Sequence, residues 1–233
     1  MPRNPRVAQP GFAYHVLNRA VGRARLFRSN KDYAAFERVL QEARQRFGTP
    51  LLAWCVMPNH WHLVLWPQKA GELSEFMRWL TVTHTQRWHA SHRTSGTGPL
   101  YQGRFKSFPI EEDDHLLTVV RYAERNALRA NLVARAQDWP WSSLPKRAHA
   151  EPGEAPDAGP VALPKNWASF VNRAETEAEL QRLRRSVVRG APFGDLEWQR
   201  RTAEQLGLQS TLNPRGRPRV RPEAGSIKDS RPL

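Results

Sequence analysis

Two seven-residue apolar runs, Leu51 to Met57 and His60 to Trp66, are separated only by Pro58 and Asn59. This spacing constrains the fold more than any other feature of the chain. Pro and Asn are turn formers and both runs are rich in aromatic and branched side chains, so the pair predicts an antiparallel hairpin that ends at Pro67. Before it, Phe12 to Asn18 reads as a strand. A helix then runs from an Asn30 N-cap to a Gly48 C-cap, with Tyr33, Phe36, Val39, Leu40, Ala43 and Phe47 at helical spacing.

After the hairpin, Gly71 to about His92 reads as a second helix, with Leu73, Phe76, Met77, Leu80 and His84 or Trp88 on one stripe. Residues 94–99 read as a loop, and Arg104 to Ile110 alternates basic or polar with apolar residues, as a strand with one charged face does. The order is β-α-β-β-α-β. It predicts an α+β, ferredoxin-like sheet of four antiparallel strands, with both helices on one face and the other face open to a ligand.

A third helix follows, with Glu111, Glu112, Asp113 and Asp114 at its N-terminus, where the helix dipole favours negative charge. Its buried stripe is Leu116, Val120, Ala123 and Ala127, which leaves the opposite positions free for chemistry. These elements make residues 1–145 one domain. Residues 146–168 read as a Pro-, Ala- and Gly-rich linker. Residues 169–211 form a helical extension with helices at 175–190 and 195–207, and residues 212–233 a basic tail expected to be disordered when free.

The chain has 36 basic and 22 acidic side chains, a net charge of +14. Residues 1–150 carry 22 basic and 11 acidic groups, so most of the excess lies there. Thirty of the cations are Arg, whose planar fork binds two phosphate oxygens at once, and a polyphosphate is the natural partner for such a surface. No run approaches the roughly 18 apolar residues a membrane span needs. The single Cys55 excludes an internal disulfide and a thiolate zinc site. The expectation is a cytoplasmic, nucleoid-associated protein.

His60 and His62 sit at i and i+2 on a strand, so both imidazoles face the same side while Trp61 turns into the core. Neutral imidazoles so placed are ligands for a divalent metal, although two surface histidines beside a turn would read the same way. Tyr122 lies mid-helix between Arg121 and Arg125, with Asn126 one turn along. A phenol can attack phosphorus when cations neutralise the developing charge, and an amide oxygen suits magnesium or manganese. Tyr122 reads equally as an amphipathic packing residue. Glu124 faces a different side of the helix. His84, His89 and His92 read as helix-surface residues. Tyr101 with Arg104 and Lys106 puts an aromatic ring beside cations, the pairing that an unstacked base and its phosphate require.

The segment Met57-Pro-Asn-His-Trp-His-Leu-Val-Leu65 resembles the signature of HUH nucleases, specifically the REP-associated tyrosine transposases. The blocks beginning at Tyr14, Leu26, Tyr101, Tyr122 and Asp138 resemble those of the same family in the same order, over about residues 10–145. The resemblance implies that His60, His62 and Asn126 hold a divalent metal, Mg2+ or Mn2+, and that Tyr122 is the nucleophile. It implies cleavage and strand transfer of single-stranded DNA beside a hairpin, through a 5′-phosphotyrosine that frees a 3′-hydroxyl. One departure is Asn126-Ala127, where the family often has Asn-Pro. DNA contacts are expected at Arg19, Arg23, Tyr101, Arg104, Lys106, Arg121 and Arg125. Further contacts are expected at Arg215, Arg217 and Arg219, which resemble an AT-hook core. The protein would act as a monomer or a homodimer. Two other readings stay open from the residues alone: a non-catalytic nucleic-acid-binding module on the same scaffold, and a metal-dependent ribonuclease.

Overall fold

The hairpin forms half of the observed sheet. The computed structural model describes residues 8–149 and 153–213. Strands β1 (Ala13–Arg19), β2 (Leu51–Met57), β3 (His60–Leu65) and β4 (Lys106–Ile110) pair antiparallel in the order β2-β3-β1-β4. Helix α1 (Asn30–Phe47) joins β1 to β2, and α2 (Glu72–His92) joins β3 to β4. The β-α-β-β-α-β order is as expected. The N-cap of α1 is Ser29 rather than Asn30, because Ser29 and Asp32 form a reciprocal capping box. Gly48 ends the helix at φ 65°, a left-handed conformation in which a Cβ is costly.

Helices α1 and α2 pack on one face of the sheet, against Tyr14, Val16, Trp61, Leu63 and Leu65. Each large side chain buried there contributes roughly 1.5–3 kcal/mol. His84 belongs to this core rather than to the helix surface. It is 3% exposed, lies between the rings of Phe27 and Phe36, and bonds the Tyr101 hydroxyl. Its position on the α2 stripe is the signal that accounts for this.

The second face is not open, contrary to expectation. Helix α3 (Asp114–Glu124) lays Leu116, Val119, Val120 and Ala123 over Ala13, Ala53, Val64, Phe108 and Ile110. The helix breaks at Arg125 and resumes as α4 (Asn126–Arg129), so it does not run unbroken through Ala127. Helix α5 (Ser143–His149) follows, then α6 (Trp167–Asn172), α7 (Glu177–Arg189), α8 (Leu196–Gln205) and α9 (Gln209–Leu212). The expected linker is also not free. Asp157 accepts from the Leu51 amide and pairs with Arg44, and Gly159 packs close to Leu52.

Each sheet edge is partly covered by a later segment. On the β2 side, the Val56 amide donates to the Trp141 carbonyl and the Trp54 amide to Ser143 Oγ. On the β4 side, the Phe193 amide donates to the Pro109 carbonyl, and the Glu111 amide to the Phe193 carbonyl. Among the described residues, no helix is long and apolar enough to cross a membrane.

Candidate active site

Strand parity puts His60 and His62 on the face covered by α3, and Trp61 on the other, fully buried. Their ring centroids are 5.0 Å apart. The orientation of each ring is set by a neighbour. Asn59 Nδ2 donates to the Arg23 carbonyl, so Asn59 Oδ1 faces His60 and accepts from its Nδ1–H at 2.6 Å. His15, on β1, brings its Nε2 to 2.8 Å from His62 Nδ1. With His62 Nδ1–H donating to His15, both strand histidines keep an Nε2 lone pair for another partner.

Burial, aided by surrounding positive charge, keeps these imidazoles neutral. It lowers His15 to about 3, with Arg129 adding to the effect. His60 falls to about 4, through burial and then Arg19 and Arg129. His62 falls well below its ordinary value, through burial, then the other two histidines and the nearby arginines. Neutral imidazole is the form that binds a metal.

Tyr122 comes down on this cluster from α3. It is 8% exposed, and its ring centroid lies 5.8 Å from that of His62 and 6.1 Å from that of His15. Arg129 stands over the ring, 4.0 Å from its centroid. Asn126 is buried one turn after Tyr122. Among the described residues, nothing hydrogen-bonds the Tyr122 hydroxyl or the Asn126 amide. Imidazole nitrogens and an amide oxygen are donor types that suit a divalent cation. Glu124 is excluded from this set. Its carboxylate is fully buried and accepts from Ser143 Oγ, Arg147 Nε and Trp167 Nε1.

Several expected DNA contacts are elsewhere. Tyr101 is a core residue: it is buried, and its hydroxyl accepts from Trp61 Nε1 at 3.0 Å and bonds His84 Nδ1 at 2.7 Å, so its ring has no free face for a base. Arg121 is buried, donates to the Arg173 carbonyl at 2.7 Å and stacks on Phe170. Arg125 donates to the Asn172 carbonyl and pairs with Glu175. Both arginines therefore anchor the C-terminal extension instead of meeting a phosphate. Arg19, Arg23, Arg104 and Lys106 behave differently. They line one cleft of about 690 Å³, together with Gln102, Val187 and Val188. Arg19 is paired in register with His60, and Lys106 with Leu17, which is itself paired with His62, so the cleft opens beside the histidines on the same sheet face. Arg215, Arg217 and Arg219 lie outside the described residues.

Sequence reasoning missed His15, Asn59 and Arg129. His15 lies within the segment read as a strand, but its pairing with His62 depends on the β1–β3 register. A second group of potential ligands, Glu111, Asp113 and His115, lies at the start of α3. There Asp113 caps the helix through the His115 amide, and Glu111 accepts from the Asp195 amide, so both carboxylates have structural partners.

A family model described as "Transposase IS200 like" matches residues 8–126, a span that contains His60, His62, Tyr122 and Asn126. No curated protein matches the chain. Among solved structures, a REP-associated tyrosine transposase bound to a REP hairpin is similar at 17% identity with a TM-score of 0.54, over 76% of this chain and all of that one. A candidate transposase from Deinococcus radiodurans R1 is similar at 19% identity with a TM-score of 0.38, over 53% of this chain and 96% of that one. The first of these likenesses extends the shared fold into the C-terminal helices.

Proposed function

Because the chain belongs to the IS200-like transposase family, we propose that it cuts and rejoins single-stranded DNA at hairpin repeats, with Tyr122 as the nucleophile. The observation that carries this reading is the placement of Tyr122 against His62 within a single chain. A helix that merely packed would not need to bring a phenol onto a cluster of neutral histidines. The family is metal-dependent, and His60, His62 and Asn126 are the residues that would hold the ion. Bound there, a divalent cation would polarise the scissile phosphate and offset the charge that develops on it.

The chain's own residues supply the rest. The Tyr122 oxygen attacks phosphorus and forms a phenolic ester to the 5′-phosphate. The bond from phosphorus to the 3′-oxygen breaks; the phenolic proton leaves to solvent, and the departing 3′-oxygen takes one up. Reversal of the same step rejoins the ends, because the ester keeps the energy of the broken bond. The cationic cleft of Arg19, Arg23, Arg104 and Lys106 is the path we assign to the strand. A hairpin as substrate is supported by the REP-bound neighbour of the same fold.

The test is a denaturing gel of the protein incubated with end-labelled hairpin DNA and Mn2+. A denaturation-resistant protein–DNA band is expected from the wild type and not from Tyr122→Phe, which should still bind the hairpin. A band that survives in Tyr122→Phe removes the nucleophile assignment. Binding without any band would favour a non-catalytic module, and cleavage of RNA without a band would favour a ribonuclease.

A further inference from the structure

Arg129 and Glu175 both lie beyond the span matched by the family model. Glu175 sits between α6 and α7, in the C-terminal extension, with its side chain 3% exposed. Arg129 Nη1 donates to both oxygens of that carboxylate, at 2.9 and 3.1 Å, and Arg129 Nη2 donates to the carbonyl of Tyr122 itself at 3.4 Å. The guanidinium is thus fixed at three points and rests on the Tyr122 ring, 4.0 Å from its centroid. The rings of His62 and His15 meet the same tyrosine edge-on. Glu175 also faces Arg125 Nε at 3.4 Å, so the buried carboxylate has two cations to offset it.

We infer that Arg129, held in place by Glu175, is the positioning residue for the nucleophile: it fixes the Tyr122 ring for attack on the strand. The inference rests on Tyr122 being the nucleophile. A guanidinium on an aromatic face is attracted to the ring's π electrons, which holds the ring against it. The guanidinium joins the two roles, because Nη1 holds the carboxylate and Nη2 the Tyr122 carbonyl while Cζ stands over the ring. The C-terminal extension is on this account part of the catalytic unit, since it supplies the carboxylate that holds the arginine.

The experiment measures the single-turnover rate of adduct formation at saturating hairpin DNA and Mn2+, alongside hairpin affinity and the folded fraction by thermal unfolding. Arg129→Gln is expected to slow the adduct about 10- to 100-fold without loss of hairpin affinity. Arg129→Lys keeps a cation over the ring and should recover part of the lost rate. Glu175→Gln should be slowed as well, and one that matches the wild type would remove Glu175 from the device. A purely structural role would lower hairpin affinity and the folded fraction along with the rate. Arg129→Gln whose rate falls only in proportion to its hairpin affinity or folded fraction therefore overturns the inference. A wild-type chain that forms no adduct overturns the nucleophile assignment first and this inference with it; an active wild type with an indifferent Arg129→Gln overturns this inference alone.

Discussion

His15 and His62 face each other across adjacent strands, with Nε2 of the first 2.8 Å from Nδ1 of the second in a site that water scarcely reaches. One proton lies between the two rings. When it sits on His62, the remaining His62 nitrogen is a lone pair aimed away from β1. His15 thus acts on the candidate metal site without belonging to the ligand set.

His15→Leu should weaken Mn2+ binding by about 10- to 100-fold, the usual effect of removing a partner that orients a metal-bound imidazole. Adduct formation should recover as Mn2+ is raised. His15→Gln, whose amide oxygen can accept from His62, should be milder. An unchanged Mn2+ titration in His15→Leu would show that the contact only packs the core.

Asn59 plays the matching part for His60. Its amide is oriented by the Arg23 carbonyl, so Asn59→Ala frees the imidazole to rotate. A comparable loss of metal affinity is expected by calorimetry, and Asn59→Ala combined with His15→Leu should leave no measurable binding.

Arg19, Arg23, Arg104 and Lys106 form no ion pairs among the described residues. If they line the strand path, Arg104→Ala and Lys106→Ala should each reduce the slope of log affinity against log salt by about 0.7, the single-strand value for one phosphate contact. Arg121→Ala should leave that slope unmoved and lower thermal stability instead, because its guanidinium is spent on the Arg173 carbonyl and Phe170.

Tyr101→Phe removes the hydroxyl that joins Trp61 and His84. Two buried polar groups lose their partner, at a cost of about 1–3 kcal/mol in denaturant unfolding. Single-strand affinity at matched folded fraction should not change. A specific loss of DNA binding would restore the ring to the nucleic-acid path.

Burial lowers His84 from 6.5 to about 3. Between those values the unfolded chain binds a proton that the folded chain does not, so stability is fully present above about pH 6.5 and is lost as pH falls toward 3. The slope for one such group is about 1.4 kcal/mol per pH unit. His15, His60 and His62 add to it in the wild type. Urea unfolding at pH 5 and pH 7 should therefore show a smaller pH difference in His84→Asn than in the wild type. An equal difference would mean that His84 charges freely in the folded state.

The order of strands and helices was legible because its signals are local. The alternation of Leu51 to Leu65 about a Pro-Asn turn and the stripe Tyr33, Phe36, Leu40 each depend on the backbone's own period. The convergence of His60 and His62 follows from the same rule, since i and i+2 share a face in any strand. Tyr101 and Arg121 misled for a reason of the same kind. Charge and aromatic character are visible along a chain, but whether such a group meets solvent or another part of the molecule is not.

The sequence by itself determined the β-α-β-β-α-β frame, the two histidines on one face and a tyrosine on the helix that follows, because each is set by neighbours within a few residues. Only the tertiary structure decided that His15 orients His62 from 47 residues away, that Tyr101 closes a core, and that Glu175 seats Arg129 on the tyrosine ring from 46 residues away. Those pairings depend on the register of β1 against β3 and on where the C-terminal helices dock, and both are settled by packing many side chains at once rather than by any local preference.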